Sequence, residues 1–183
     1  MGEFRLETDR LILRAWRDTD IDAFHAICSD PLVMATLGPL MTRDQVAALV
    51  ERMQRLQRDD GHCFWAMERK TDEKFIGWCG VIRGDVDTPV ADKLEAGWRV
   101  ASSEWGQGLA TEAAIASVQW SFNHRDDDAV WAITTVENRA SRAVMERLGM
   151  AYLPELDFDH PKVPADSLLL SHVTYRINRE EGV

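Results

Sequence analysis

The sequence is short of positive charge. Its 21 Lys and Arg stand against 31 Asp and Glu, a formal net charge of −10. A nucleic-acid backbone is therefore a poor partner, because phosphate binding needs clustered cations. Long apolar runs are also missing: no stretch approaches the roughly 20 residues of a membrane span. The N-terminus carries no basic-then-apolar leader, and Gly2 is not followed by the Ser or Thr that acylation prefers. A cytoplasmic protein with no membrane and no nucleic acid among its partners is expected. Cys28, Cys63 and Cys79 are far apart and odd in number, which excludes a disulfide framework and favours buried thiols. The histidines at 25, 62, 124, 160 and 172 lack ligand spacing, so no metal site is expected. No repeat, low-complexity run or linker interrupts the chain. Residues 1–183 read as one domain, as a monomer or a homodimer.

What is present is ordered patterning. Residues 10–16 read as a strand. Asp18 or Thr19 then caps a helix with Ile21, Phe24 and Ile27 on one face, and Asp30-Pro31 ends it. Thr42 and Gln45 form a capping box for a second helix with Val46, Leu49, Val50, Met53 and Leu56 inward. Residues 64–67 and 75–82 read as a hairpin, and Gly77 and Gly80 inside it signal a bulge or close backbone approach. Residues 94–100 are a further strand. A helix runs from about Gly108 to His124, and a strand from 129 to 136. Asn138 caps a helix facing inward through Ala140, Val144, Met145 and Leu148, with Gly149 closing it. Residues 168–177 make a last strand. The result is an α/β (α+β) domain: mostly antiparallel strands with helices between them.

One junction carries chemistry. Trp105-Gly106-Gln107-Gly108-Leu109-Ala110-Thr111-Glu112-Ala113 follows a strand and opens a helix. Glycines let the backbone approach a ligand, and the first N–H groups of a helix are unpaired and favour an anion. Taken alone, these glycines support a generic anion site no more than an ordinary helix start. The segment is neither a Walker A loop, which needs Gly-Lys-Ser/Thr, nor the G-x-G-x-x-G of a dinucleotide fold.

The wider pattern is more specific. Thr8-Asp9-Arg10-Leu11-Ile12-Leu13-Arg14, Phe75-Ile76-Gly77 and Glu95-Ala96-Gly97-Trp98 precede the glycine segment. Glu137-Asn138-Arg139-Ala140-Ser141 and Met145-Glu146-Arg147-Leu148-Gly149-Met150 follow it. In this order, over most of the chain, these motifs resemble the GNAT acetyltransferase superfamily, in its RimJ/RimL-like (ribosomal-protein N-acetyltransferase-like) branch. The resemblance implies a mixed, mostly antiparallel central sheet with helices on both faces. It also implies acetyl-CoA as acyl donor and an amine-bearing acceptor, either a protein N-terminus or a small molecule.

By that resemblance, Gly106, Gln107, Gly108, Leu109, Ala110 and Thr111 cradle the pyrophosphate through backbone N–H groups. Trp98, Arg99 and Val100 lie on the strand that pairs with the pantetheine arm, and neighbouring strands splay to admit it. Asn138 and Ser141 stand beside pantetheine and thiol. Glu95 is the candidate base and Val100 N–H the candidate oxyanion donor. Ser141 is the candidate thiol proton donor, because Met145 occupies the place where much of the superfamily has a Tyr. Each also has a plainer reading. Strand alternation puts Glu95, Gly97 and Arg99 on one face, so Glu95 is either solvent-facing, paired with Arg99, or catalytic. Asn138 and Ser141 also suit a helix start. Losing Glu95 is expected to cost most at low pH, where the amine is hardest to deprotonate. Asp157, Asp159 and His160, and Trp16, Trp65 or Trp78, are candidates for the acceptor side. A non-catalytic acyl-CoA-binding module, or a transferase using another acyl-CoA, is the alternative.

Overall fold

The computed structural model describes residues 4–182, so the expectation placed on Gly2 lies outside the described residues. Among the described residues, nine strands form one sheet. In chain order they are β1 (Arg5–Glu7), β2 (Leu11–Arg14), β3 (Phe64–Arg69), β4 (Lys74–Arg83), β5 (Leu94–Val100), β6 (Ala129–Thr135), β7 (Ala151–Tyr152), β8 (Phe158–Asp159) and β9 (Ser171–Asn178). The spatial order is β1-β2-β3-β4-β5-β6-β9-β7, with β8 also on β9. Every pairing is antiparallel except β5 with β6.

The helices are α1 (Ile21–Cys28), α2 (Pro31–Met34), α3 (Arg43–Asp59), α4 (Leu109–His124) and α5 (Arg139–Arg147). They cover both faces. Cys79 of β4 meets Ser117 of α4 at 3.6 Å, and Cys79 is the register partner of Trp98. Ala96, Trp98 and Val100 therefore share the α4 face. Arg99 reaches Cys28 of α1, so Glu95, Gly97 and Arg99 share the opposite face, as their alternation predicts. All three cysteines are buried thiols. None of the helices among the described residues is long and apolar enough to cross a membrane.

Local chemistry explains most boundaries. Thr42 accepts the Gln45 N–H at 3.3 Å, and the Gln45 side chain accepts the Thr42 N–H at 2.8 Å, closing the expected box at the start of α3. Asn138 Oδ1 accepts the Ser141 N–H at 3.1 Å and starts α5. Three readings need correction. Neither Asp18 nor Thr19 caps α1, because a 3-10 turn over Asp18–Asp20 precedes it. The Asp20 carboxylate instead takes two N–H groups of the buried Arg14 guanidinium at 2.8 Å and the Arg17 N–H at 2.9 Å. Asp30 does not merely end a helix: its side chain accepts the Leu32 N–H at 2.9 Å and opens α2, with Pro31 in the first turn. The last strand starts at Ser171 rather than at 168.

Candidate active site

β5 and β6 are neighbours for only part of their length. They pair at Leu94 with Val130 and Glu95 with Trp131, and not beyond. Past Glu95 the strands part, and a cavity of about 1400 Å³ opens in the gap. That exceeds the roughly 300–1,000 Å³ of common small-molecule sites. Its walls include β5 from Glu95 to Val100, the glycine segment, Asn138 and Ser141. Of the catalytic and donor-side residues singled out in the sequence, only Gln107 is not in its lining.

The hydrogen-bond phase of β5 decides which peptide groups face the gap. Ala101 N–H donates to Ile76 O at 2.9 Å on the β4 side. Alternation along an antiparallel ladder then directs the groups of Glu95, Gly97 and Arg99 to β4, and those of Ala96, Trp98 and Val100 to the other edge. Val100 O already accepts from Trp105 Nε1 at 3.0 Å. Trp98 and Val100 thus present N–H groups along the opening, like an unpaired sheet edge awaiting a strand-like ligand. The peptide groups of Arg99 face Trp78 instead.

The glycine segment is held open. Gly106 and Gly108 adopt φ +74° and +76°, a conformation that L side chains rarely take. In front of Gly106 there is empty space within 4 Å of where a Cβ would stand. At Gly108 only Arg10 Nη2 comes within that range, at 3.7 Å. Gly108 caps α4 with no side chain, so the N–H groups of Leu109, Ala110 and Thr111 begin the helix without intrahelical carbonyl partners.

Three clamps fix this loop. The Trp105 indole ties its start to Val100. Buried Glu104 receives Arg69 Nη1 at 2.6 Å and Lys74 Nζ at 3.1 Å, tying the loop to the β3–β4 hairpin. Arg10 donates Nη1 to Gln107 O at 2.9 Å and Nε to Glu112 at 2.6 Å, and Thr8 also bonds Glu112. Burial pushes the Glu112 carboxyl up, but the Thr8 and Arg10 hydrogen bonds outweigh it and hold the group below its usual range.

Glu95 is half-buried in the gap and makes no hydrogen bond or ion pair among the described residues. Burial, then repulsion from Asp85, push its pKa up from 4.5 to about 7, against an opposing pull from Arg52. The pairing with Arg99 does not form: Arg99 Nη1 donates to Cys28 Sγ at 3.0 Å. Across the cavity, the Ser141 hydroxyl makes no hydrogen bond among the described residues, and Met145 beside it is buried. Of the three tryptophans, Trp78 lines the cavity, whereas Trp16 and Trp65 are core. Asp157 accepts from Tyr152 and Asp159 from Ser171, while His160 lies 4.9 Å from the His172 ring. This segment meets the site indirectly, through the ion pair of Lys162 with Asp85.

Comparison with known proteins decides the family. The acetyltransferase (GNAT) domain model matches residues 10–151. The chain belongs to the GNAT acetyltransferase family. It is 33% identical to the Bacillus subtilis protein YkkB over 81% of this chain and 86% of that one. It is 37% identical to FsC-acetyl coenzyme A-N(2)-transacetylase of Aspergillus fumigatus, over 59% of this chain and 47% of that protein. Among solved structures, the RimL ribosomal L7/L12 alpha-N-protein acetyltransferase with coenzyme A superposes with a TM-score of 0.80 at 14% identity, over 97% of this chain and 99% of that one. The fold is thus the GNAT fold, and the chain is an acetyl-CoA-dependent N-acetyltransferase of that family.

Within this GNAT domain, sequence reasoning assigned no role to Arg10, Glu104 or Glu112. Arg10 and Glu112 stand in quoted motifs, but their pairing spans 102 residues and no local spacing signals it.

Proposed function

We propose that this GNAT enzyme transfers the acetyl group to a primary amine by direct attack within a ternary complex, with Glu95 as the base. The observation that carries the reading is an unpaired carboxyl with a pKa of about 7 where β5 and β6 part. A base poised near the working pH is effective, because it is both ionised and basic enough to take a proton. Glu95 accepts the amine proton, directly or through one water. The N–C bond forms as the C–S bond breaks, and coenzyme A leaves as thiolate.

The remaining residues serve that step. N–H groups of residues 106–111 hold the pyrophosphate, aided by the α4 dipole and by the room in front of the two glycines. Trp98 and Val100 line up the pantetheine, and Val100 N–H faces the thioester oxygen as charge develops. Asn138 fixes the start of α5, which aims the free Ser141 hydroxyl at the sulfur, where it hydrogen-bonds the departing thiolate and passes on a proton drawn from water. The acceptor enters from the α1–α3 face, where Trp78, Glu95 and Arg99 lie.

The test is a thiol-release assay with acetyl-CoA over protein N-terminal peptides and small amines, with initial-velocity patterns on whichever is turned over. Intersecting lines support a ternary complex. Parallel lines, or full activity in Glu95→Gln, refute the mechanism.

A further inference from the structure

Arg99 has a charge without a counter-charge. Its guanidinium is always protonated and offers five donors. Among the described residues it meets sulfur and rings: Cys28 Sγ at 3.0 Å, Met41 Sδ at 3.8 Å, and the faces of Trp78 and Phe24 at 5.6 and 5.9 Å. Sulfur is a weak acceptor. Nε is buried with no partner at all. Among the described residues, no carboxylate forms an ion pair with this cation.

Leaving a half-buried guanidinium unpaired is costly, and replacing it with an apolar residue would relieve the cost. Arg99 also lines the same cavity as Glu95, on the same strand face. Between them lies Gly97, with no side chain. A Cβ there would stand 2.9 Å from Phe64 Cζ and 3.3 Å from Trp78 Cζ3. The floor between base and cation is therefore the stacked pair Phe64 and Trp78, 4.4 Å apart.

We infer that Arg99 reads a carboxylate on the acceptor, and that the acceptor is a small amino acid whose acid group lies a few bonds from the amine. The guanidinium fork matches a carboxylate in two parallel hydrogen bonds. With the acid group on Arg99, the amine extends along the face of β5 that Arg99 shares with Glu95. The aromatic floor then covers an apolar part of the same molecule. The inference rests on the transferase reading above and sharpens its acceptor: an amino acid always carries this acid group, whereas a protein N-terminus does so only when its first side chain is Asp or Glu.

The test compares matched pairs in the thiol-release assay: methionine, phenylalanine and β-alanine, each against its amide. It uses wild type, Arg99→Met and Arg99→Lys. Charge-assisted hydrogen bonds of about 1.5–3 kcal/mol predict that an acid is preferred over its amide by roughly 10–100-fold in kcat/KM, mostly through KM. Arg99→Met abolishes the preference, and Arg99→Lys keeps part of it. The acid-to-amide ratio is the readout, so a folding or donor-binding defect common to both substrates does not move it. Equal or better turnover of the amides by wild type, with each rate corrected for the fraction of neutral amine, overturns the inference and leaves the transferase reading intact. A preference that survives in Arg99→Met overturns the role of Arg99. No turnover of any amine by wild type overturns the transferase reading, and the inference with it.

Discussion

Replacing Glu95 with Gln removes the proposed base and also removes a buried charge, so activity and stability should move in opposite directions. The carboxyl titrates at 4.5 when unperturbed and at about 7 in the folded protein. A raised folded pKa means that the folded state holds the proton more tightly than the unfolded state. The associated stability is present below pH 4.5 and is lost as pH rises through 7. About 2.5 pH units at about 1.4 kcal/mol each set a ceiling of about 3.5 kcal/mol. Part of the group faces the solvated cavity, which discounts the figure to about 1–2 kcal/mol. Glu95→Gln should therefore gain about 1–2 kcal/mol relative to wild type between pH 5 and pH 8.5, roughly 2–8 °C in Tm for a chain of this size. Its kcat/KM should fall by roughly 10²–10⁴-fold at pH 8. The wild-type-to-mutant ratio cancels the titration of the amine itself. That ratio should rise with pH up to about 7 and then level off, because below 7 wild-type Glu95 is also protonated. This corrects the expectation from sequence that losing Glu95 costs most at low pH. Urea unfolding at the two pH values and a pH profile of the rate ratio measure both effects. A stability difference independent of pH, together with a flat rate ratio, would refute the reasoning.

The other predictions concern the donor side. Gly108→Asp places a carboxylate in front of the α4 N-terminus and next to Arg10, so acetyl-CoA affinity should fall by roughly 100-fold in calorimetry. The fold has room for it, and strain of about 1–2 kcal/mol should leave it folded. Arg10→Met frees Gln107 O and Glu112, and should weaken acetyl-CoA binding by roughly 10-fold with circular dichroism unchanged. Full affinity would show that the loop holds its shape without that clamp. Ser141→Ala should lower kcat by about 10-fold or less while leaving acetyl-CoA affinity intact, since thiolate is already a good leaving group. A loss as large as that of Glu95→Gln would give Ser141 a larger part. Gly97→Ala should lower acceptor kcat/KM by displacing Phe64, with little change in acetyl-CoA affinity.

The sequence was most legible where one short stretch determines the outcome. The capping box at Thr42, the cap at Asn138, the hairpin of residues 64–67 with 75–82, and the bounds of β5 follow from neighbouring residues. β1, β7 and β8 were not foreseen, because strands of two or three residues carry no periodicity. At the site, alternation in β5 correctly put Glu95 and Arg99 on one face. It could not show that the two side chains part company, because that depends on Cys28 arriving from α1. The pKa of Glu95 was equally hidden: it arises from packing and from Asp85, ten residues away in chain and on another loop. The open glycine turn before α4 was legible, but its clamps were not: Arg10 arrives from just before β2, and Glu104 is held by Arg69 of β3 and Lys74 of β4.

The most direct test is a crystal structure of this enzyme with acetyl-CoA. The pyrophosphate oxygens should lie within hydrogen-bond distance of N–H groups among residues 106–111. The pantetheine should run along Trp98 and Val100 in the gap between β5 and β6, with the thioester on the path to Glu95. Acetyl-CoA bound outside that gap, or a thioester walled off from Glu95, would contradict the account.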